Sequence, residues 1–320
     1  MHLREFTFVA LRIVSIVSST GTKRCGSDCK GIVFFAMKKC LIIANSFKEN
    51  AGLLGNEISV FLKKENIENS LFLYDGKEVR SKILDIDFSG YDFVVTLGGD
   101  GTVLFACRGC APLGIPVFPI NLGEFGFIAA VPKDNWKKEL ELFLREKCYI
   151  SSRSLVQCEV LRNGKTVFRC CGMNDCVISS CPSSHLVNLN VAYNHALLGP
   201  FKTNGIIVST PTGSTAYSAA AGGPIVEPEL SALVLTPVSS FSLSARPLVF
   251  GEKGEIVITL MSSRSDASLT CDGQIDFELK EGDVLILKIP EFRARLICST
   301  QEKFFSALQS KLNWSGGPRA

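Results

Sequence analysis

The chain has 320 residues, with 34 basic against 31 acidic side chains and a net charge of +3. That length exceeds one ordinary core and implies two domains. The near balance of charge argues against a nucleic-acid protein, which carries a strongly basic domain, but leaves room for small anionic ligands.

The first 36 residues stand apart. Met1 to Ser19 carry a basic residue and an apolar run broken by Arg12, a weak likeness to a signal peptide with no small-residue cleavage site behind it. Residues 1–36 are read as an N-terminal extension, either disordered or set by an upstream start codon. No apolar run is long enough to span a bilayer. The 13 cysteines are odd in number and form no compact disulfide framework. Cys107 and Cys110 make one CxxC inside an apolar helical stretch, with no second pair beside it, and no metal role is assigned to them. The thiols read as small hydrophobes in a reducing cytosol. The histidines, His2, His185 and His195, are too few for a His-rich metal site.

From Met37 the pattern is α/β. Leu41 to Ala44 predict a buried strand. Glu49 to Lys64 predict an amphipathic helix with Leu53, Leu54, Ile58, Phe61 and Leu62 on one side. Leu71 to Tyr74 predict a second strand, ended by Asp75-Gly76, and Phe93 to Leu97 a third. Gly98-Gly99-Asp100-Gly101-Thr102 cannot continue that strand, and Val103 to Cys110 have helical spacing. The three glycines allow positive φ and close approach of a ligand to the backbone. Ile115 to Ile120 predict a fourth strand, Asn121 to Phe127 a glycine-punctuated turn, and Trp136 to Glu146 a helix. Such alternation implies a parallel sheet whose ligands bind at the carboxyl ends of strands.

From about Ile150 the texture changes to short β runs. Ser154 to Leu161 and Thr166 to Ile178 flank Asn163-Gly164 and predict a hairpin. Val187 to Ala192, Ile206 to Ser209, Ala232 to Leu235, Glu255 to Thr259, Ala267 to Cys271 and Val284 to Ile289 predict further strands. Only Thr215 to Ala221 and Phe304 to Leu312 read as helical. The expectation is a Rossmann-like α/β domain over 37–149, a β-rich, sandwich-like domain over 150–300, and a C-terminal helix and tail over 301–320 that crosses back.

Three stretches carry chemistry. In Gly98 to Thr102, strand, glycine turn and helix start aim backbone N–H groups at an anion. Gly98, Gly99, Gly101 and Thr102 are the candidate phosphate cradle. The spacing is neither the dinucleotide fingerprint nor a Walker loop. Asp100 would repel a phosphate there unless it holds a cation or accepts a proton. In Gly205 to Pro224, a strand meets a polar loop and a helix of small residues. Thr212 and Ser214 are candidate caps, and Tyr217 offers a ring and a hydroxyl. A capped helix packed closely on a sheet would look the same. Asn174-Asp175 puts an amide beside a carboxylate, suited to a sugar or base edge, although the pair is also common in turns.

Together these motifs resemble the bacterial NAD kinase family over Met37 to about Leu312. The likeness rests on Gly98 to Thr102, Asn121 to Phe127, Asn174-Asp175, Gly205 to Pro224, Leu243 to Leu248, and Asp272-Gly273-Gln274. The glycine–aspartate turn is shared with phosphofructokinases and with lipid kinases; the block Ser209 to Pro224 is more specific. The resemblance implies transfer of the terminal phosphate of ATP, or of polyphosphate, to the 2′-hydroxyl of the adenosine ribose of NAD. It implies a divalent cation such as Mg²⁺ carried with the phosphates, with no dedicated protein metal site, and a cytoplasmic homo-oligomer, dimer or tetramer. By position it implies Asp100 as general base. It also implies NAD contacts from Asp100, Gly101, Asn174, Asp175, His185, Lys202, Asn204, Thr215, Ala216, Tyr217, Ser218, Ala219, Ala220 and Gln274. The chain departs from the family at Asn204, where aspartate is usual, at Lys202 for arginine, at Asp175 for glutamate, and at Phe241 for a polar residue. The competing readings are a lipid or sugar kinase with the same turn, and a non-catalytic NADP-binding regulator.

Overall fold

The central strands of the first sheet are apolar on both faces, and helices cover both. The computed structural model describes residues 37–75, 86–123, 126–181, 185–242, 244–261 and 266–312. All lie in one compact unit, Ala36–Ala320. Readings that fall on residues 1–36, Gly76, Glu124, Phe125, Leu243 and the tail beyond residue 312 lie outside the described residues.

β1 (Lys39–Asn45), β2 (Glu68–Tyr74), β3 (Phe93–Gly98) and β4 (Pro116–Asn121) run parallel, in the order β2-β1-β3-β4. Alternate residues go to opposite faces. Cys40, Ile42, Phe93 and Val95 pack with α1 (Ala51–Lys64) and α3 (Trp136–Leu144), through Ile58, Leu62, Leu140 and Phe143. Leu41, Ile43, Val94 and Val117 pack with α2 (Asp100–Cys110), through Val103, Ala106 and Cys107. This is why these strands read as unbroken apolar runs rather than alternations. α1 starts at Ala51, two residues later than the pattern suggests, because Asn50 is left-handed at φ 63. Leu53, assigned to the apolar side, is instead 69% exposed.

A two-residue strand, β5 (Val131–Pro132), pairs parallel with the end of β4. β6 (Ile150–Arg153) then joins the same sheet at its far edge. The Asn-Gly reading holds for the next hairpin: Asn163 and Gly164 sit at φ 52 and 73 between β7 (Val156–Arg162) and β8 (Lys165–Gly172). The long strand expected over Thr166 to Ile178 does not form. It breaks at Met173-Asn174, and β9 (Asp175–Cys181) enters a different sheet. Two causes are visible. A Cβ on Gly172 would lie 2.9 Å from the Asp175 carbonyl oxygen. The N–H groups of Met173, Asn174 and Asp175 donate to the Asp272 carboxylate, at 3.0, 2.7 and 3.1 Å, rather than to a neighbouring strand.

The chain continues through β10 (Val187–Tyr193), β11 (Ala196–Thr203), β12 (Gly205–Ser209), α4 (Tyr217–Ala220), β13 (Ala232–Val238), β14 (Leu248–Gly251), β15 (Ile256–Leu260), β16 (Asp266–Cys271), β17 (Ile275–Leu279) and β18 (Val284–Lys288). These strands, with β7, β8 and β9, form two six-stranded antiparallel sheets, β11-β10-β15-β18-β7-β8 and β14-β13-β12-β9-β16-β17. Val, Ile, Leu and Cys side chains from both fill the space between them as one core. The expected α/β plus β-sandwich architecture is therefore the observed one. β19 (Ala294–Ile297) returns to the first sheet, parallel to β4 and antiparallel to β6. α5 (Gln301–Leu312) follows it, with the Phe304 ring 6.3 Å from that of Phe127.

Candidate active site

Gly98 closes β3, and Gly99 is extended at φ −104, ψ −171. Asp100 is the first residue of α2, so Asp100-Gly101-Thr102 form the helix's own first turn rather than a loop ahead of it. None of Gly98, Gly99 and Gly101 has positive φ, contrary to expectation. What the glycines supply is space. A Cβ on Gly98 would press on the Thr102 side chain, with Thr102 Cβ 2.9 Å away, while Gly99 faces open room. The N–H groups of Asp100 and Gly101 have no carbonyl ahead of them in the helix, whereas Thr102 N–H donates to the Gly99 carbonyl at 3.0 Å. Asn45, at the end of β1, donates from Nδ2 to Thr102 Oγ1 at 3.3 Å.

The Asp100 carboxylate is half-buried and held by backbone. Phe127 N–H donates to Oδ2 at 3.1 Å; Ile128 and Ala129 N–H donate to Oδ1 at 3.2 and 2.9 Å. Gly126 lies against it so closely that a Cβ there would collide with the carboxylate. The turn after Asn121 thus clamps the acid. The Oδ2 oxygen, with one N–H against two, keeps the greater accepting capacity.

A cavity of about 370 Å³ opens along β9, lined by Asn174, Asp175, Val177, Ser179, Ala216, Tyr217, Thr270, Asp272 and Gly273. Asp175, Val177 and Ser179 share one face of β9, opposite the Cys176 and Ile178 side chains that enter the sandwich core. Burial, with Asp272 and Cys271 close by, pushes the Asp175 carboxyl up to about 8. Asn174 Oδ1 is buried with no hydrogen-bond partner, an acceptor at the cavity wall. Tyr217 is 47% exposed at the mouth.

One network joins turn and cavity. Gln274 donates from Nε2 to the Gly101 carbonyl at 2.9 Å and accepts from Arg108 Nη2 at 2.6 Å. Arg108 Nη1 donates to Asp272 Oδ2 at 2.8 Å, and the Asp272 carboxylate holds the backbone of Met173 to Asp175. Gln274 is therefore engaged with protein on both sides. Asp272 and Arg108 were not assigned as site residues from sequence. Asp272 lies in the Asp272-Gly273-Gln274 motif, but the backbone it holds lies 97 to 99 residues away.

The segment after β12 is less regular than expected. A 3₁₀ turn spans Thr212–Thr215, the chain kinks at Ala216, and only Tyr217–Ala220 are α-helical. Neither Thr212 nor Ser214 caps a helix. Ser214 Oγ donates to the Pro211 carbonyl at 2.6 Å and accepts from Val226 N–H at 2.9 Å. Thr215 Oγ1 donates to the Thr212 carbonyl at 3.2 Å. Ser218 is buried against the Thr236 hydroxyl at 2.9 Å, and Ala219 and Ala220 do not line the cavity. His185, Lys202 and Asn204 form a separate group beyond the Ser179 end of β9. Asn204 Nδ2 and Ser180 Oγ both donate to the His185 carbonyl, each at 2.7 Å. The Lys202 ammonium lies 5.5 Å from the centre of the Phe241 ring. None of the three lines the cavity.

A carboxylate clamped at a glycine-lined helix start, tied to a polar cleft, is the equipment of a phosphotransferase that activates a hydroxyl. Residues 28–148 match the ATP-NAD kinase N-terminal domain, and residues 173–299 the ATP-NAD kinase C-terminal domain. An NAD kinase of Treponema denticola is 43% identical over 281 residues, covering 88% of this chain and 98% of that protein. An NAD kinase of Treponema pallidum (strain Nichols) is 40% identical over 279 residues, covering 87% of this chain and 90% of that one. Among solved structures, yeast NADH kinase complexed with NADH has a TM-score of 0.73 at 22% identity, covering 89% of this chain and 90% of that one. An NAD kinase from Archaeoglobus fulgidus in complex with ATP has a TM-score of 0.67 at 23% identity, covering 88% of this chain and 100% of that one. These two share the fold. The chain belongs to the NAD kinase family and is a kinase.

Proposed function

We propose that the chain transfers the terminal phosphate of ATP to the 2′-hydroxyl of the adenosine ribose of NAD, giving NADP and ADP. Asp100 is the general base. The observation that carries this is the Asp100 carboxylate, held by backbone N–H groups at 2.9 to 3.2 Å on the helix that Gln274 ties to the cleft. A ribose hydroxyl is a poor nucleophile at neutral pH. A fixed carboxylate takes its proton as the new O–P bond forms and the bond to the ADP oxygen breaks. Gly98, Gly99, Gly101 and Thr102 present the start of α2 to the donor phosphates. Orientation and charge neutralisation then lower most of the barrier.

Asn174, Asp175, Ala216 and Tyr217 contact the dinucleotide from the cavity wall. Thr215 and Ser218 to Ala220 shape the segment that carries Ala216 and Tyr217. His185, Lys202 and Asn204 meet the part of the dinucleotide that extends beyond Ser179. No three carboxylates or histidines among the described residues cluster as a cation cage. The Asp100 oxygens already accept backbone N–H groups. A divalent cation bound to the donor phosphates would neutralise their charge here. We place the protein in the cytoplasm: the described cysteines are free thiols, and no described helix is long and apolar enough to cross a membrane. Self-assembly is proposed at the edge strand β14, where Leu248 and Val249 are 39% and 55% exposed.

Purified chain incubated with NAD, ATP and Mg²⁺ yields NADP, read out with an NADP-specific dehydrogenase. Polyphosphate in place of ATP identifies the donor. Absence of NADP with either donor overturns the reading.

A further inference from the structure

The sandwich core between the two antiparallel sheets holds 4 cysteines among its buried residues, and they are neighbours rather than scattered. Cys158 on β7 faces Cys170 on β8 across one sheet. Cys176 on β9 faces Cys271 on β16 across the other. One cross-strand thiol pair thus lies over another. The sulfurs of Cys158, Cys170 and Cys176 all lie within 4.8 Å of one another, and all three residues are buried. Cys271 reaches Cys170 and Cys176 with side-chain hydrogen bonds. The inward positions flanking Cys158 on its strand are Val156 and Val160, so the thiols interrupt an otherwise aliphatic surface.

We propose that these thiols form a structural site for one thiophilic divalent cation of the zinc type, with Cys158, Cys170 and Cys176 as ligands and Cys271 closing the tetrahedron. The geometry is near what such an ion requires. A zinc–sulfur bond of about 2.3 Å puts tetrahedral sulfurs about 3.8 Å apart. A small inward shift of Cys158, Cys170 and Cys176 reaches that spacing, and Cys271 turns in as the fourth ligand from beside Cys170 and Cys176. Soft sulfur donors without histidine or oxygen favour zinc over magnesium or calcium. Binding releases one proton from each thiol that ligates and changes no oxidation state.

The position gives the ion a purpose. Cys158 and Cys170 belong to one sheet, Cys176 and Cys271 to the other, so the ion staples the two sheets. Cys176 follows Asp175 and Cys271 precedes Asp272, and both acids line the cavity on the opposite face. The staple pins the cavity floor from behind.

The test is elemental analysis of full-length folded protein from zinc-replete cells, together with its optical spectrum after growth with cobalt. The expected result is about one zinc per chain and the d–d and thiolate-to-cobalt charge-transfer bands of a tetrahedral thiolate centre. Cys158→Val and Cys176→Val lose the metal, whereas Cys107→Val, which lies in the other core, keeps it. Wild-type protein that is folded but metal-free and colourless with cobalt overturns the proposal. So does metal retained by both Cys158→Val and Cys176→Val. The wild-type measurements decide the matter even if a variant fails to fold.

Discussion

Asp100 and Asp272 are held alike by backbone and are proposed to do opposite work. Each carboxylate accepts backbone N–H groups from three successive residues, Phe127 to Ala129 in one case and Met173 to Asp175 in the other. The difference is the counter-ion. The Asp272 side chain is fully buried and paired with Arg108 at 2.8 Å, so its charge is spent inside the protein. Asp100 is half-buried and forms no ion pair among the described residues; its partners are backbone N–H groups alone. A carboxylate that backbone holds and an arginine neutralises is a brace. One that backbone holds and leaves unpaired is free to serve as the base proposed above.

The comparison breaks most sharply at Asp100. Asp100→Asn is expected to lower kcat by about 10²- to 10⁴-fold, the usual span for a general base, with NAD affinity little changed. Steady-state kinetics beside calorimetric NAD titration checks this; near-normal kcat removes Asp100 from the chemistry. Asp272→Ala is the mirror case. It strands Arg108 and three backbone N–H groups inside the protein, and is expected to cost about 3–5 kcal/mol in urea unfolding. A loss under 1 kcal/mol would mean that Asp272 is no brace.

Much of this contrast was hidden in the sequence. Asp100 was legible because everything that marks it is local: an apolar run, glycines, then helical spacing. Asp272 was not, because its partner Arg108 lies 164 residues away. The same limit applies to β6 and β19. Four residues each, with Ser151-Ser152 in one, they carry little pattern, and only pairing across the fold makes them strands of the first sheet. Asn174-Asp175 was read as late in a strand, whereas the chain breaks there because Asp272 takes the N–H groups that a ladder needs. The central parallel strands β1, β3 and β4 are legible because burial on both faces leaves little room for polar residues.

Gln274 sharpens the comparison from between the two acids. It touches the Gly101 carbonyl on the Asp100 side and Arg108 on the Asp272 side. Gln274→Ala is expected to cost about 2–4 kcal/mol of stability, as one neutral and one charge-assisted hydrogen bond are lost. It should also lower kcat about tenfold, because the Asp100 helix loses its register on the cleft. A rise in KM for NAD with kcat intact would instead make Gln274 a direct ligand contact.

The smallest effect at neutral pH comes from a third acid, which tests whether arginine pairing is what makes a brace. Asp283 is buried, and Arg162 meets it with two bonds, Nε to Oδ1 and Nη2 to Oδ2, both at 2.8 Å. Burial raises the Asp283 carboxyl, but the Arg162 hydrogen bonds and the Lys280 N–H outweigh it and hold the group below its ordinary value. The folded state therefore keeps the proton off to lower pH than the unfolded chain does. The stability this supplies is fully present above the unfolded value, about 3.9, and is lost as pH falls through the folded one. Asp283→Asn should be less stable than wild type at pH 7, and the gap should narrow as urea unfolding is repeated on the acid side of pH 4. A gap that stays constant across that range would show that shape rather than charge holds the pair, and would weaken the same argument for Arg108 and Asp272.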